Sequence, residues 1–191
     1  MIFSDIERNL MPWQLVGAWV VVIAAAAFMA FGTIPHIDDV TGGLQVLSLH
    51  WNGFDHDEVH ALAEALGEEG LLYYAVNQVI AELVFAIAAF LALTITFLWV
   101  TRPGEKFALP LPEALRLAPL GTAVAALFCH VVTAFAQWGV LASEEPASGV
   151  VELASTTVAI MQIAYIATAA AVLITVVFAI LRGLGSQPAH A

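Results

Sequence analysis

Apolar positions along the chain gather into four long stretches, roughly Trp13 to Ile34, Leu71 to Val100, Leu117 to Leu141 and Leu153 to Leu181, with polar residues confined mostly to the connections. Each stretch exceeds the ~20 helical residues that cross a ~30 Å hydrocarbon core. The pattern predicts an all-α, polytopic membrane protein: an up-down bundle of four transmembrane helices at about 13–34, 71–100, 117–141 and 153–181. The second and fourth stretches are longer than a span requires, which implies tilt or a turn or two beyond the hydrocarbon. Helices this close together leave room for a single domain over 1–182, followed by a short flexible tail at 183–191, rich in small residues.

The longest polar segment, 35–70, carries its own periodicity. Asp55 followed by Glu58 matches a capping box, and Val59, Leu62, Ala63 and Leu66 then recur at i, i+3, i+4 and i+7. This predicts a short amphipathic helix capping the bundle mouth or lying at the membrane surface, ended by Gly67 or Gly70. In the connection from Thr101 to Pro119, Pro103, Pro110, Pro112 and Pro119 block helix continuation and favour an extended link between the second and third helices.

Charge sets the expected orientation. The five basic residues, Arg8, Arg102, Lys106, Arg116 and Arg182, fall just outside the apolar stretches on alternating sides, which puts both termini and the 102–116 connection in the cytoplasm. Eleven of the sixteen acids fall in the two remaining connections, which contain no Lys or Arg. The first stretch starts among Asp5, Glu7 and Arg8 and exceeds a signal-peptide core, so it reads as a retained anchor. With 61% hydrophobic and 11% charged residues the chain lies far from a soluble domain, and its net charge of −11 disfavours nucleic acid as a partner. A bacterial inner membrane, with neighbouring membrane subunits or a homo-oligomer as partners alongside the lipids, fits this composition. Small residues such as Gly17, Ala88, Ala89 and Gly121 supply faces for close helix packing.

Within the apolar stretches the informative side chains are Asn77, Gln78 and Glu82 on the second, His130, Thr133 and Gln137 on the third, and Gln162 and Tyr165 on the fourth. Gln78 and Glu82 are one turn apart, and His130, Thr133 and Gln137 follow an i, i+3, i+7 spacing, so each helix presents a polar stripe that can face a shared interior. An ionisable residue in hydrocarbon is costly unless paired, which marks Glu82 as a ligand or proton site with His130 as its natural partner. Interhelical hydrogen bonding alone would also account for such residues.

In the outer loop, His56 and His60 stand one turn apart with Glu64 a turn further. Two imidazoles and a carboxylate on one flank could bind zinc or copper, with His36 and His50 as further ligands, although the stretch is not a true H-E-x-x-H. Other chemistry thins out. A b-type haem held by two intramembrane histidines has only His130 to draw on, and phosphate-binding or acyl-transfer motifs are missing. The single cysteine, Cys129, reads as a packing residue. Quinone or lipid binding by Glu82, His130 and Tyr165 fits an apolar slot with a few polar anchors.

The order of a first helix, an outer loop ending in DEVHALAEALGEEGLLYYAVNQVIAEL, a long helix through FAIAAFLALTITFLW, and then Arg102 and Glu105 before a third helix resembles the membrane-embedded N-terminal sensor modules of bacterial histidine kinases, over roughly residues 13 to 125. The kinase domain of such proteins is absent here. The resemblance implies sensing in the outer half, with output passing to a separate protein. The resulting expectation is an integral membrane subunit or sensing module without catalysis of its own. It would bind a small ligand, proton or partner helices through the outer-half polar cluster. The alternatives are a proton or cation pathway through Glu82 and His130, and a metal- or quinone-binding redox subunit.

Overall fold

A computed structural model describes residues 9–102, 109, 111–143 and 145–185. Six α-helices form among them: α1 (Pro12–Phe28), α2 (Ile34–Thr41), α3 (His56–Tyr73), α4 (Ile80–Val100), α5 (Glu113–Leu141) and α6 (Ser148–Gly185), with no strand among the described residues. Two π-helical turns, Met29–Thr33 and Tyr74–Val79, join α1 to α2 and α3 to α4 without interrupting the rod. Four helical stretches are therefore long and apolar enough to cross a membrane: Pro12–Thr41, His56–Val100, Leu117–Leu141 and Ser148–Leu184.

The first stretch runs past the expected end at 34. Pro35 falls at the start of α2, where its missing N–H matters least because the π turn has already displaced the regular ladder. The stop comes at Gly42, which adopts the left-handed conformation (φ 69°) that a side chain disfavours, while Gly43 donates to the Asp38 carbonyl at 2.9 Å. At the other end of the bundle α5 starts at Glu113 rather than 117. Pro119 therefore sits inside a helix, contrary to an extended link reaching that far. Its carbonyl takes a hydrogen bond from Thr122 Oγ1 at 2.9 Å. Of the proline-rich connection, residues 103–108 and 110 lie outside the described residues. α6 begins five residues earlier than expected because Val151 and Ala154 are buried against the loop end of the bundle. It also runs on through Gly185, so the tail expected from 183 is helical at its start, and 186–191 lie outside the described residues.

The amphipathic cap forms as its capping box predicts. Asp55 accepts from the Glu58 N–H and Glu58 accepts from the Asp55 N–H, both at 2.9 Å, satisfying donors that a helix start leaves open. Val59, Leu62 and Leu66 are buried, so the cap lies on the bundle. Gly67, at φ 59° and ψ −173°, breaks the helical path within α3, and the chain turns there into the second membrane stretch.

α5 and α6 pack most extensively, α1 lies chiefly against α4, and α4 also touches α5 and α6. The main apolar core sits at the loop end, where Ile37, Val46, Leu47, Phe54, Leu62 and Tyr74 meet Ala134, Val140 and Val158. Two smaller clusters, around Val22, Ala88, Ala89 and Ala92 and around Leu93, Phe97 and Val172, fill the opposite half.

A polar cavity beneath the loop

Between α2 and α3 the chain makes one 3₁₀ turn, Leu47–Leu49, which plunges into the mouth of the bundle with Val46 and Leu47 essentially inaccessible. Two hydrogen bonds hold it to α6. Gln162 Nε2 donates to the Ser48 carbonyl at 3.1 Å, and the Phe54 N–H donates to Ser155 Oγ at 2.8 Å. Gly53 makes the second approach feasible: its φ is 79°, and a Cβ there would collide with Ser155 Oγ.

Under this turn lies a cavity of about 280 Å³, lined by Ala26, Met29, Ala30 and Ile34 from the first stretch, Ser48 and Leu49 from the loop, Gln78, Glu82 and Phe85 from the second stretch, His130 from α5, and Met161 and Tyr165 from α6. Glu82 is 3% exposed and His130 5% exposed. The Glu82 Oε1 accepts from Gln78 Nε2 at 2.8 Å, and Thr33 Oγ1 donates to the Gln78 Oε1. One hydrogen bond, 3.1 Å long, joins His130 Nδ1 to the Tyr165 hydroxyl. The Ser48 hydroxyl faces the Glu82 carboxyl, yet Glu82 Oε2 and His130 Nε2 have no hydrogen-bond partner.

Of the residues singled out in sequence, Gln78, Glu82, His130 and Tyr165 meet around the cavity. Glu82 and His130 are not partners, however: among the described residues they form no ion pair, and each is held by a different neighbour. Gln137 and Thr133 continue the buried stripe of α5 toward the loop, where Tyr74 donates its hydroxyl to Gln137 Oε1 at 3.3 Å. Asn77 points elsewhere, bonding the Tyr73 carbonyl of its own helix and lining a groove between the first two stretches. Gln162 serves the loop rather than the cavity.

Thr33, Ser48 and Tyr74 belong to the site and were not singled out for it. The i, i+4, i+8 spacing of Tyr74, Gln78 and Glu82 carried the signal for Tyr74, which is fully buried. Thr33 and Ser48 had none, because their contacts cross 45 and 114 residues of sequence.

The outer-loop histidines disperse. His60 Nδ1 lies 3.9 Å from Glu64 Oε2 and His50 Nδ1 lies 3.7 Å from Glu58 Oε1, while His36 rests against Tyr73 with ring centroids 4.1 Å apart. No group of three or more His, Cys, Asp or Glu side chains is arranged to hold a metal ion among the described residues. The zinc or copper expectation for His56, His60 and Glu64 thus gains no geometric support.

What the cavity can do chemically follows from its walls. Apolar side chains make most of the surface, and the two residues that carry unsatisfied polar atoms, Glu82 and His130, stand in its wall, so the space suits a small molecule with an apolar body and a hydrogen-bonding group. No known protein family, curated protein or solved structure matches the chain.

Proposed function

We propose that the chain is a multi-pass protein of a bacterial inner membrane, with both termini in the cytoplasm, that binds a small lipophilic ligand in the cavity and senses its occupancy. One observation carries the reading. Glu82 and His130 both stand in the wall of the cavity, and each carries a buried atom, Oε2 and Nε2, that completes no hydrogen bond. Orphaned polar atoms are costly in a protein interior and costlier still where lipid replaces water, so they mark a place where a ligand completes the structure.

Ser48 and Leu49 form part of the wall, so a bound molecule would press on the loop turn, and the loop is tied to α6. That link gives occupancy a route to the exported surface and to partner subunits or a second copy. The test is direct binding to the purified protein in nanodiscs, comparing wild type with Glu82→Gln and His130→Ala. Wild-type affinity in both variants would remove the cavity from consideration. Orientation is tested separately, by single-cysteine labelling at 57 and at 184 in a Cys129→Ala background, with labelling from outside expected only at 57.

A proton or cation pathway is the second reading, favoured by the string from Thr33 through Gln78 to Glu82. Against it, among the described residues the interior beyond Glu82 is lined chiefly by Ala86, Ala89, Ala92, Leu93 and Phe97, and its buried threonines Thr168 and Thr175 bond only to their own helix. Proteoliposomes are expected to show no proton flux above empty vesicles, and a flux abolished by Glu82→Gln would reverse the preference.

A further inference from the structure

The cavity shares a wall with a second compartment. Phe85 and Tyr165 line both the polar cavity and a recess of about 320 Å³ bounded by Trp19 of α1, Trp51 of the loop, and Ile166 and Ala169 of α6. Besides the Tyr165 hydroxyl and the two indoles, the recess holds Gln162, whose amide donates to the Ser48 carbonyl. Its rim is open, since Trp19, Trp51 and Ile166 are all exposed. α1 packs chiefly on α4, which leaves the recess facing sideways, toward lipid. Trp19 is fixed in that rim by donating Nε1 to Thr96 Oγ1 at 3.0 Å.

The walls of the cavity narrow the chemistry of the occupant. His130 and Tyr165 meet edge to face with centroids 5.6 Å apart, and Phe85 stands 6.3 Å from each. Three rings in a corner receive the face or edge of a planar ring. Glu82 Oε2 and His130 Nε2 add two separate hydrogen-bonding points. Among the described residues no Lys or Arg lines either compartment, so a phosphate-bearing head would enter without a counter-charge from them.

We infer that the two compartments hold one molecule, a neutral quinol-class lipid. Its ring, bearing two oxygen substituents, hydrogen-bonds Glu82 and His130, and its single prenyl-type chain leaves past Phe85 and Tyr165 into the lateral recess. This rests on the ligand-binding reading above and adds to it the class of head, the place of the tail and entry from within the bilayer. A hydrocarbon chain gains little by leaving lipid for an apolar recess. Selectivity therefore resides in the ring, and the recess decides only where the chain lies.

The test uses the full chain in nanodiscs of phosphatidylcholine, with a benzoquinol carrying a geranyl chain that bears a diazirine on its first isoprene unit. Irradiation is expected to place adducts on Trp19, Trp51, Ile166 or Ala169, in at least about ten-fold excess over a ring-free alkyl diazirine and suppressed by chain-free benzoquinol. Ala169→Phe, which fills the recess from the lipid side, should cut those adducts about ten-fold. Binding of chain-free benzoquinol should stay within about two-fold of wild type in that variant. Equal labelling by the ring-free probe, or adducts confined to a separate apolar groove between α1 and α4 lined by Trp13, Gly17, Ile87 and Leu91, would overturn the inference and leave the ligand-binding reading standing. No protection of the cavity by either the chain-free or the prenylated benzoquinol would overturn the quinol assignment itself. Wild-type affinity retained by both Glu82→Gln and His130→Ala for every lipophilic ligand tried would sink the reading beneath it.

Discussion

The two halves of this bundle use polar side chains in opposite ways. Toward the loop, hydrogen bonds cross between elements: Thr33 to Gln78, Tyr74 to Gln137, His130 with Tyr165, and Gln162 to the Ser48 carbonyl. In the other half Thr101, Thr168 and Thr175 each return their hydroxyl to the carbonyl one turn earlier on their own helix, at 2.8 to 2.9 Å, and Thr96 does so too while also accepting from Trp19 Nε1 across the helix interface. A threonine bonded in this way is self-sufficient and asks nothing of a neighbour. Gln, Glu and His reach across to other helices as well as along their own, so they commit the helices to one another and leave Glu82 Oε2, His130 Nε2, Thr133 Oγ1 and Gln137 Nε2 unsatisfied, against Thr94 Oγ1 among the described residues of the other half. The difference teaches that polar content alone does not mark a site in a membrane helix. What marks it is polarity that the helix cannot absorb by itself.

The sharpest way to break this contrast is to open an equal hole in each half. Tyr74→Ala and Phe97→Ala, both removing a buried ring, should each destabilise by about 3–5 kcal/mol in detergent unfolding titrations. The loop-half variant should in addition lose affinity for the cavity ligand, and an equal loss in both would erase the distinction. Gln78→Leu comes next, at about 2 kcal/mol, because it strands the Thr33 hydroxyl and the Glu82 carboxyl together. A cost below about 0.5 kcal/mol would mean that the cross-helix bonds carry no weight.

Gly53→Ala should cost about 1–2 kcal/mol through its positive φ and the contact with Ser155. Its signature is faster proteolysis within 42–55 at unchanged helicity by circular dichroism. Combining it with Ser155→Ala should recover the steric part and not the backbone part. Thr175→Val is the smallest change, within about 0.5 kcal/mol of wild type, since only a bond internal to one helix is removed. A larger effect would show the apolar half to be tied together as well.

How much of this was legible follows the range of each interaction. The four apolar stretches and the capping box at Asp55 depend on neighbours three or four residues apart, and both appear as read. The convergence of Gln78, Glu82, His130 and Tyr165 was accessible because each helix carries its polar residues at a spacing that keeps them on one face. Asn77 was grouped with them and does not join them, since its position one residue before Gln78 turns it about a quarter of a circle away. Helix ends were the weakest point: Pro35 and Pro119 looked like boundaries, yet both are accommodated within continuous helical rods. The descent of Leu47–Leu49 into the bundle was invisible, because it depends on Ser155 and Gln162, which lie about a hundred residues away in sequence.

The paired π turns have a mechanical meaning. Met29–Thr33 and Tyr74–Val79 touch each other and are joined by the Thr33 to Gln78 bond, and each adds one residue to its rod, advancing everything beyond it by about 100°. Trimming a single residue from Tyr74–Val79 would keep the membrane-crossing part of α4 in phase and swing α3 through that angle. The same Glu82 would then lie under a roof aimed at the wrong wall.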